Sequence, residues 1–281
     1  MQGLIFMEQT INKDTQLCMS LSGRPGNFGT RFHNFLYREL ELNFVYKAFT
    51  TRDLPAAISG IRALGIRGCA VSMPFKEACI EYLDELDSSA KGIMSVNTIV
   101  STDGFLKAFN TDYTAVLSLL KSNEVPTNLE FALRGSGGMA KAVACALRDA
   151  GFDKGAVIAR NAATGSALAD QYGYEWKPEL TDEKPGLIIN VTPIGMAGAV
   201  EEADTLSFVA ETVRGAEVVF DVVAQPAETP LIRLAESLGK KTISGADVIV
   251  LQAVEQFVLY TGVRPEQEAI DRAAVFARGN S

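Results

Sequence analysis

The chain of 281 residues holds one histidine and four cysteines, and it has no long apolar run. Cys18, Cys69, Cys79 and Cys145 form no C-x-x-C pair, and His33 is the single imidazole. A zinc centre of the usual Cys/His type is therefore not expected, and no metal is assigned. His33 stands among Phe32 and Phe35 in a helical stretch and reads as a packed or half-exposed residue, not a catalytic base. No stretch approaches the roughly 18 apolar residues of a membrane span. The run Leu4-Ile-Phe-Met is too short for the apolar core of a secretory signal. Together these absences predict a reduced, cytoplasmic protein. A basic excess is missing too: 26 Lys and Arg stand against 34 Asp and Glu, a net charge of −8. That balance argues against nucleic acid and anionic membranes as partners. It does not bar a small anionic substrate, which a few local cations can hold.

What is present is a globular composition, 47% hydrophobic, with length for about two domains. Residues 16–20, 44–49 and 68–72 read as strands, and residues 28–42 and 53–64 between them as helices. The second helix has Asp53 as its N-cap, with Pro55 tolerated in the first turn. This alternation predicts an α/β domain with a mostly parallel sheet covered on both faces. Residues 95–100 and 105–109 flank Thr102-Asp-Gly and predict a hairpin. Residues 112–121 read as the helix leading out, and Ser122-Asn-Glu-Val-Pro-Thr-Asn as the linker after it.

Beyond the linker, residues 129–141 read Leu-Glu-Phe-Ala-Leu-Arg-Gly-Ser-Gly-Gly-Met-Ala-Lys, a short strand, a glycine-rich turn and a helix start. A dinucleotide pyrophosphate needs this order. Gly135 permits the tight turn, Gly137 lets the backbone approach the phosphates, and the helix opening near Gly138 points unpaired N–H groups at them. The third small position is Ala140, so the triplet alone also fits an ordinary strand-to-helix turn. Context favours the nucleotide: residues 139–150 put Ala140, Val143, Ala144 and Leu147 on one helix face, Gly151 follows as C-cap, and residues 156–159 supply the next strand. That strand ends in Ala159-Arg160-Asn161, without the acid that accepts from a ribose 2′-OH. Arg160 suits a 2′-phosphate, which points to NADP, although a solvated arginine is the other reading of the same residue. Strands at 187–191 and 218–222 continue this second domain. An apolar helix at 246–260 follows Gly245 and ends at Gly262, and a last helix is placed at 265–278.

Three motifs of the first domain fall at strand ends: Val71-Ser-Met-Pro-Phe-Lys76, Val96-Asn97-Thr98 and Asn110-Thr111-Asp112. In sheets of this kind ligands bind beyond the carboxyl ends of the strands. Oxidation of a secondary alcohol needs a proton acceptor at the reacting oxygen, and a Lys76–Asp112 pair can serve. From spacing alone, a solvated lysine and a helix-capping aspartate are the commoner reading of the same residues.

In order and spacing these segments match a known family. The three motifs, Gly135-Ser-Gly-Gly, Ile189-Asn-Val-Thr-Pro, Phe220-Asp221 with Thr229-Pro230, and Gly245 with Gln252 resemble the shikimate dehydrogenases over nearly the whole chain. The resemblance implies reversible, NADP-dependent hydride transfer between shikimate and 3-dehydroshikimate, in aromatic amino acid biosynthesis. It implies two domains. Residues 1–121, completed by helices at about 246–281, would bind substrate and carry the chemistry, and residues 122–245 would form a Rossmann domain for NADP. It makes Lys76 and Asp112 the catalytic pair and sets Asn27, Ser72, Asn97 and Gln252 on the substrate. The cofactor falls to Gly135, Ser136, Gly137, Gly138, Met139, Ala140, Arg160, Thr192 and Gly245.

The chain also departs from the family. Asn27 and Gly29 stand where two serines usually bind the substrate carboxylate, with Thr30 and Arg31 as candidates to compensate. Ser72 replaces a threonine, Tyr113 a glycine, Ala224 a tyrosine, and Thr164 a second basic residue. These changes spare the Lys–Asp pair and point to a shikimate dehydrogenase-like paralogue. Its expected partner is a small polyhydroxylated cyclic carboxylate: shikimate, quinate or an aminated analogue. The protein is expected as a monomer or homodimer. The competing reading is an NADPH- or metabolite-binding sensor with little catalysis.

Overall fold

The structure is a computed structural model that describes residues 11–197 and 203–279; the apolar run at residues 4–7 lies outside them. The chain forms two compact units, one taking in the described residues up to Thr111 and those from Gln252 onward, the other Asp112–Leu251. Both divisions fall inside helices, the first of them ahead of the polar segment at 122–128.

The first unit opens with β1 (Gln16–Leu21), α1 (Phe28–Glu39), β2 (Phe44–Phe49), α2 (Leu54–Ala63) and β3 (Gly68–Val71). Then come the short helix α3 (Phe75–Ala78), β4 (Glu85–Leu86), α4 (Ser88–Lys91), β5 (Thr98–Thr102) and β6 (Phe105–Phe109), and the helix α5 (Thr111–Ser122) leads out. The strands form one sheet in the order β2-β1-β3-β5-β6-β4. β1 runs parallel to β2 and β3, β4 parallel to β6, and β5 antiparallel to both of its neighbours. A hairpin joins β5 to β6: Thr102 pairs with Phe105, and Asp103 and Gly104 between them take positive φ, as a primed two-residue turn requires. Asp53 caps α2 as its position predicts, Oδ1 accepting from Ala56 N at 3.0 Å.

The second unit continues with β7 (Phe131–Arg134), α6 (Gly138–Ala150), β8 (Gly155–Ile158), α7 (Ala162–Tyr172) and β9 (Glu175–Lys177). It is completed by β10 (Leu187–Asn190), α8 (Ala210–Gly215), β11 (Val218–Asp221), α9 (Pro230–Ser237) and β12 (Lys241–Ser244). All six strands are parallel, in the order β12-β11-β10-β7-β8-β9. Counted within the unit this is the order 3-2-1-4-5-6 of a dinucleotide-binding sheet, whose crevice lies where the order reverses, between β7 and β10. Two loops border that crevice, Gly135–Gly137 after β7 and the segment through Thr192 after β10.

The long helix α10 (Gly245–Thr261) then carries the chain back to the first unit, where α11 (Gln267–Arg278) packs on α1 through the rings of Phe35 and Phe276, 5.3 Å apart. His33 is fully buried on α1, stacked on Tyr46 at 4.5 Å and flanked by Phe257 and Tyr260. Burial holds its pKa down at about 3, only partly opposed by the side chain of Gln256. A neutral core histidine is what its aromatic setting suggests.

Candidate active site

In the first unit a hydrogen-bond network centres on Asn97, which is buried at the entry to β5. Its Oδ1 accepts from the backbone N–H of Thr111 at 2.7 Å and from the hydroxyls of Thr98 at 2.9 Å and Thr111 at 3.2 Å. Its Nδ2 donates to Thr111 Oγ1 at 3.0 Å and to Gln252 Oε1 at 3.3 Å. Asn97 and Gln252 are thus brought together, 155 residues apart in sequence. One turn further along α10, Gln256 donates to Asn97 O at 3.3 Å and to Thr98 Oγ1 at 3.1 Å. Sequence reasoning missed Gln256, although its spacing of four from Gln252 puts both on one helix face.

Ser72 and Lys76 lie on the turn after β3. Ser72 is exposed, its N–H bonded to Leu21 O and its carbonyl accepting from Phe75 N. Lys76 is half-buried on α3, and its carbonyl accepts from Val96 N at 2.8 Å, which ties the lysine's backbone to the residue before Asn97. The second unit begins with Asp112, buried in the first turn of α5, where a carboxylate is favourable to the helix dipole.

In the second unit the glycine-rich turn separates two kinds of glycine. Gly135 has φ of +124°, and a Cβ there would stand 2.7 Å from Val191 Cγ2. The fold itself requires that glycine. At Gly137 and Gly138 a Cβ would meet nothing within 4 Å among the described residues. Gly137 is the uncapped N-cap of α6, with ordinary extended φ and ψ. Glycine at those two positions leaves room for a ligand to reach the amides, so the turn fits a pyrophosphate. Met139 is half-buried and Ala140 fully buried in the first turn of α6. Ser136 Oγ lies 2.7 Å from Thr164 Oγ1, joining the turn to the start of α7. Arg160 is exposed one residue before Asn161, whose side chain caps α7 by accepting from Thr164 N. Thr192 Oγ1 donates to Asn190 Oδ1 at 2.7 Å. Gly245 starts α10 so close to the end of β11 that a Cβ would lie 2.4 Å from Val222 O. Among the described residues no cluster of His, Cys, Asp and Glu suits a metal, and no helix is long and apolar enough to cross a membrane.

Comparison with known proteins accords with this architecture. A family model of the shikimate dehydrogenase substrate binding domain matches residues 28–99. A shikimate dehydrogenase-like protein of Haemophilus influenzae is 59% identical over 268 residues, covering 95% of this chain and 98% of that protein. The chain belongs to the shikimate dehydrogenase family. Shikimate 5-dehydrogenase of Thermus thermophilus, solved with NADP(H) and shikimate, superimposes with a TM-score of 0.82 at 29% identity, over 92% of this chain and 98% of its own. Quinate dehydrogenase of Corynebacterium glutamicum, solved with NAD, does so with a TM-score of 0.84 at 25% identity, over 92% and 97%.

The departures from the shikimate dehydrogenase pattern can be placed within each unit. Asn27 is exposed at the N-cap of α1, and its side chain makes no capping bond. Thr30 Oγ1 is buried without a hydrogen-bond partner among the described residues. Arg31 reaches the end of α11, where a Cβ on Gly279 would lie 2.5 Å from its Nη1. The hydroxyl of Tyr113 donates to Asp149 Oδ2 at 2.8 Å, so this tyrosine pins the start of α5 to the last turn of α6. Ala224 is half-buried after β11.

Proposed function

We propose that this protein is an NADP-dependent oxidoreductase that moves a hydride reversibly between NADP(H) and the CH–OH group of shikimate or a closely related polyhydroxylated cyclic carboxylate, quinate and aminated analogues included. The observation that carries this reading is the hydrogen bond between Asn97 and Gln252, two of the residues that the family resemblance sets on substrate hydroxyls, in a network that Thr111 completes. The relatives solved with NADP(H) and shikimate, and with NAD, support the reaction class. The first unit takes the substrate, with Ser72, Asn97 and Gln252 on its hydroxyls and Asn27 near its carboxylate. NADP belongs to the second unit, on the turn Gly135–Ala140 with Arg160, Thr192 and Gly245.

When bound, the nicotinamide supplies the hydride acceptor or donor. The proton is the protein's task. On oxidation the hydroxyl proton of the substrate passes to Lys76 Nζ as the C–H electron pair leaves with the hydride; on reduction the Lys76 ammonium returns a proton to the oxygen. Asp112 is the second member of the catalytic pair that the family resemblance implies. Loss of Lys76 tests this. Lys76→Ala should lower turnover by about 10²- to 10⁴-fold with substrate KM changed far less; near-normal turnover removes the assignment. The sensor reading draws on Asn27, Phe28 and Gly29, where the usual hydroxyl donors are missing. It requires cofactor binding without turnover on any of these substrates.

A further inference from the structure

Asp221 is a buried carboxylate with no part in the proposed chemistry. It ends β11, fully enclosed, and each of its oxygens is engaged. Oδ1 accepts from Asn190 Nδ2 at 3.0 Å and from Val223 N at 3.1 Å, and Oδ2 accepts from Thr229 Oγ1 at 2.7 Å. Asn190, equally buried, is its neighbour at the end of β10. An ionised carboxylate only accepts, so it dictates which end of the amide faces it. With Nδ2 committed to Asp221 and to the carbonyls of Thr192 and Ile194, Asn190 Oδ1 is turned toward Thr192. It accepts there from Thr192 N at 3.1 Å and Thr192 Oγ1 at 2.7 Å. Reversed, the amide would set an NH₂ against those same donors.

The series continues to the glycine-rich turn. A Cβ on Gly135 would lie 2.7 Å from Val191 Cγ2 and 3.3 Å from Thr192 Cγ2, so the segment that Asn190 holds is packed on the turn itself. We propose that Asp221 is a positioning residue for the dinucleotide: by fixing the Asn190 amide it holds Thr192 and its loop against the glycine-rich turn in the arrangement that receives the cofactor. This inference rests on the reading of the second unit as the NADP site.

The test measures NADP dissociation constants and turnover for the unmutated protein and for D221A, D221N, N190A, T192V and the double variant D221A/N190A. D221N retains an acceptor oxygen for Asn190 and Val223 and should bind NADP within about threefold of the unmutated protein. D221A and N190A should each weaken binding by about tenfold, as loss of one buried hydrogen-bonding group does. Turnover at saturating NADP, and KM for the cyclic carboxylate, should change far less. Because Asp221 acts through Asn190, the double variant should bind no more weakly than N190A alone. T192V leaves the buried carboxylate intact, so it tests the far end of the relay even if D221A fails to fold, and it should weaken binding severalfold. Additive losses in the double variant, or D221A or T192V binding NADP normally, would overturn the proposal. An unmutated protein that does not bind NADP overturns the site reading, and this inference with it.

Discussion

A Cβ on Gly135 would stand 2.7 Å from Val191 Cγ2, whereas a Cβ on Gly137, two residues later, would touch nothing within 4 Å among the described residues. One glycine serves the fold and the other is free to serve a ligand. Gly137→Ala should therefore leave the melting temperature unchanged or slightly raised, and weaken NADP binding by at least about tenfold, since a methyl group would stand between the phosphates and the amides. Gly135→Ala should destabilise the protein outright, through both the positive φ and the contact with Val191. Calorimetric melting and NADP titration of the two variants check this pair of outcomes; G137A binding NADP normally would remove the pyrophosphate from the turn.

Arg160 is exposed just before the start of α7, and no acid accompanies it at the end of β8. A charge-assisted contact to a 2′-phosphate of about 1.5–3 kcal/mol corresponds to roughly ten- to a hundredfold in affinity. Arg160→Ala should raise the dissociation constant for NADP by about that factor and leave the one for NAD nearly unchanged. Thr164, hydrogen-bonded to Ser136, supplies a hydroxyl where a second cation is usual, so the overall preference for NADP should be modest. Equal binding of NADP and NAD by the unmutated protein would reduce Arg160 to a solvated strand-end residue.

His33 and Asp221 give the two units opposite responses to pH. Burial lowers His33 from 6.5 to about 3, so the folded state refuses a proton that the unfolded chain accepts. Its contribution to stability is complete above pH 6.5 and lost as pH falls toward 3, on the order of 5 kcal/mol in all. Burial raises Asp221 from 3.8 to about 6, so the folded state keeps a proton that the unfolded chain releases. Its contribution is complete below pH 3.8 and lost as pH rises through 6, on the order of 3 kcal/mol. In urea unfolding, His33→Leu should flatten the acid decline of the unmutated protein. D221N should gain stability relative to the unmutated protein more at pH 7 than at pH 4. Curves for both variants that run parallel to the unmutated protein would refute these assignments.

Much of the fold is legible because local signals agree with the final packing. Residues 44–49 and 105–109 alternate or cluster apolar side chains as strands do, and β2 and β6 occupy those spans. The Asp103-Gly104 turn announces the hairpin of β5 and β6. Glu85–Leu86 is different: two residues carry no periodicity, and β4 exists because β6 offers an edge to pair with. In the site, Asn97 precedes β5 instead of ending a strand; it still lies beside the carboxyl end of β3 because β5 runs antiparallel to β3, and its coupling to Gln252 depends on a helix far along the chain. The orientation of Tyr113 is likewise hidden, since its hydroxyl is claimed by Asp149 at the far end of another helix. Arg31 reads as a candidate for the substrate carboxylate, and its guanidinium lies beside Gly279 at the end of α11. Hydrogen-bond partners distant in sequence leave no local trace, and those are what the structure adds.

The central claim is that this member of the family catalyses, despite Asn27 and Gly29 in place of two hydroxyl donors. The most direct measurement is reduction of NADP⁺ by the purified protein, followed spectroscopically with shikimate, quinate and aminoshikimate in turn. Turnover on at least one of them is expected, abolished or strongly reduced in K76A. NADP binding with no turnover on any of the three would contradict the claim and leave the sensor reading in its place.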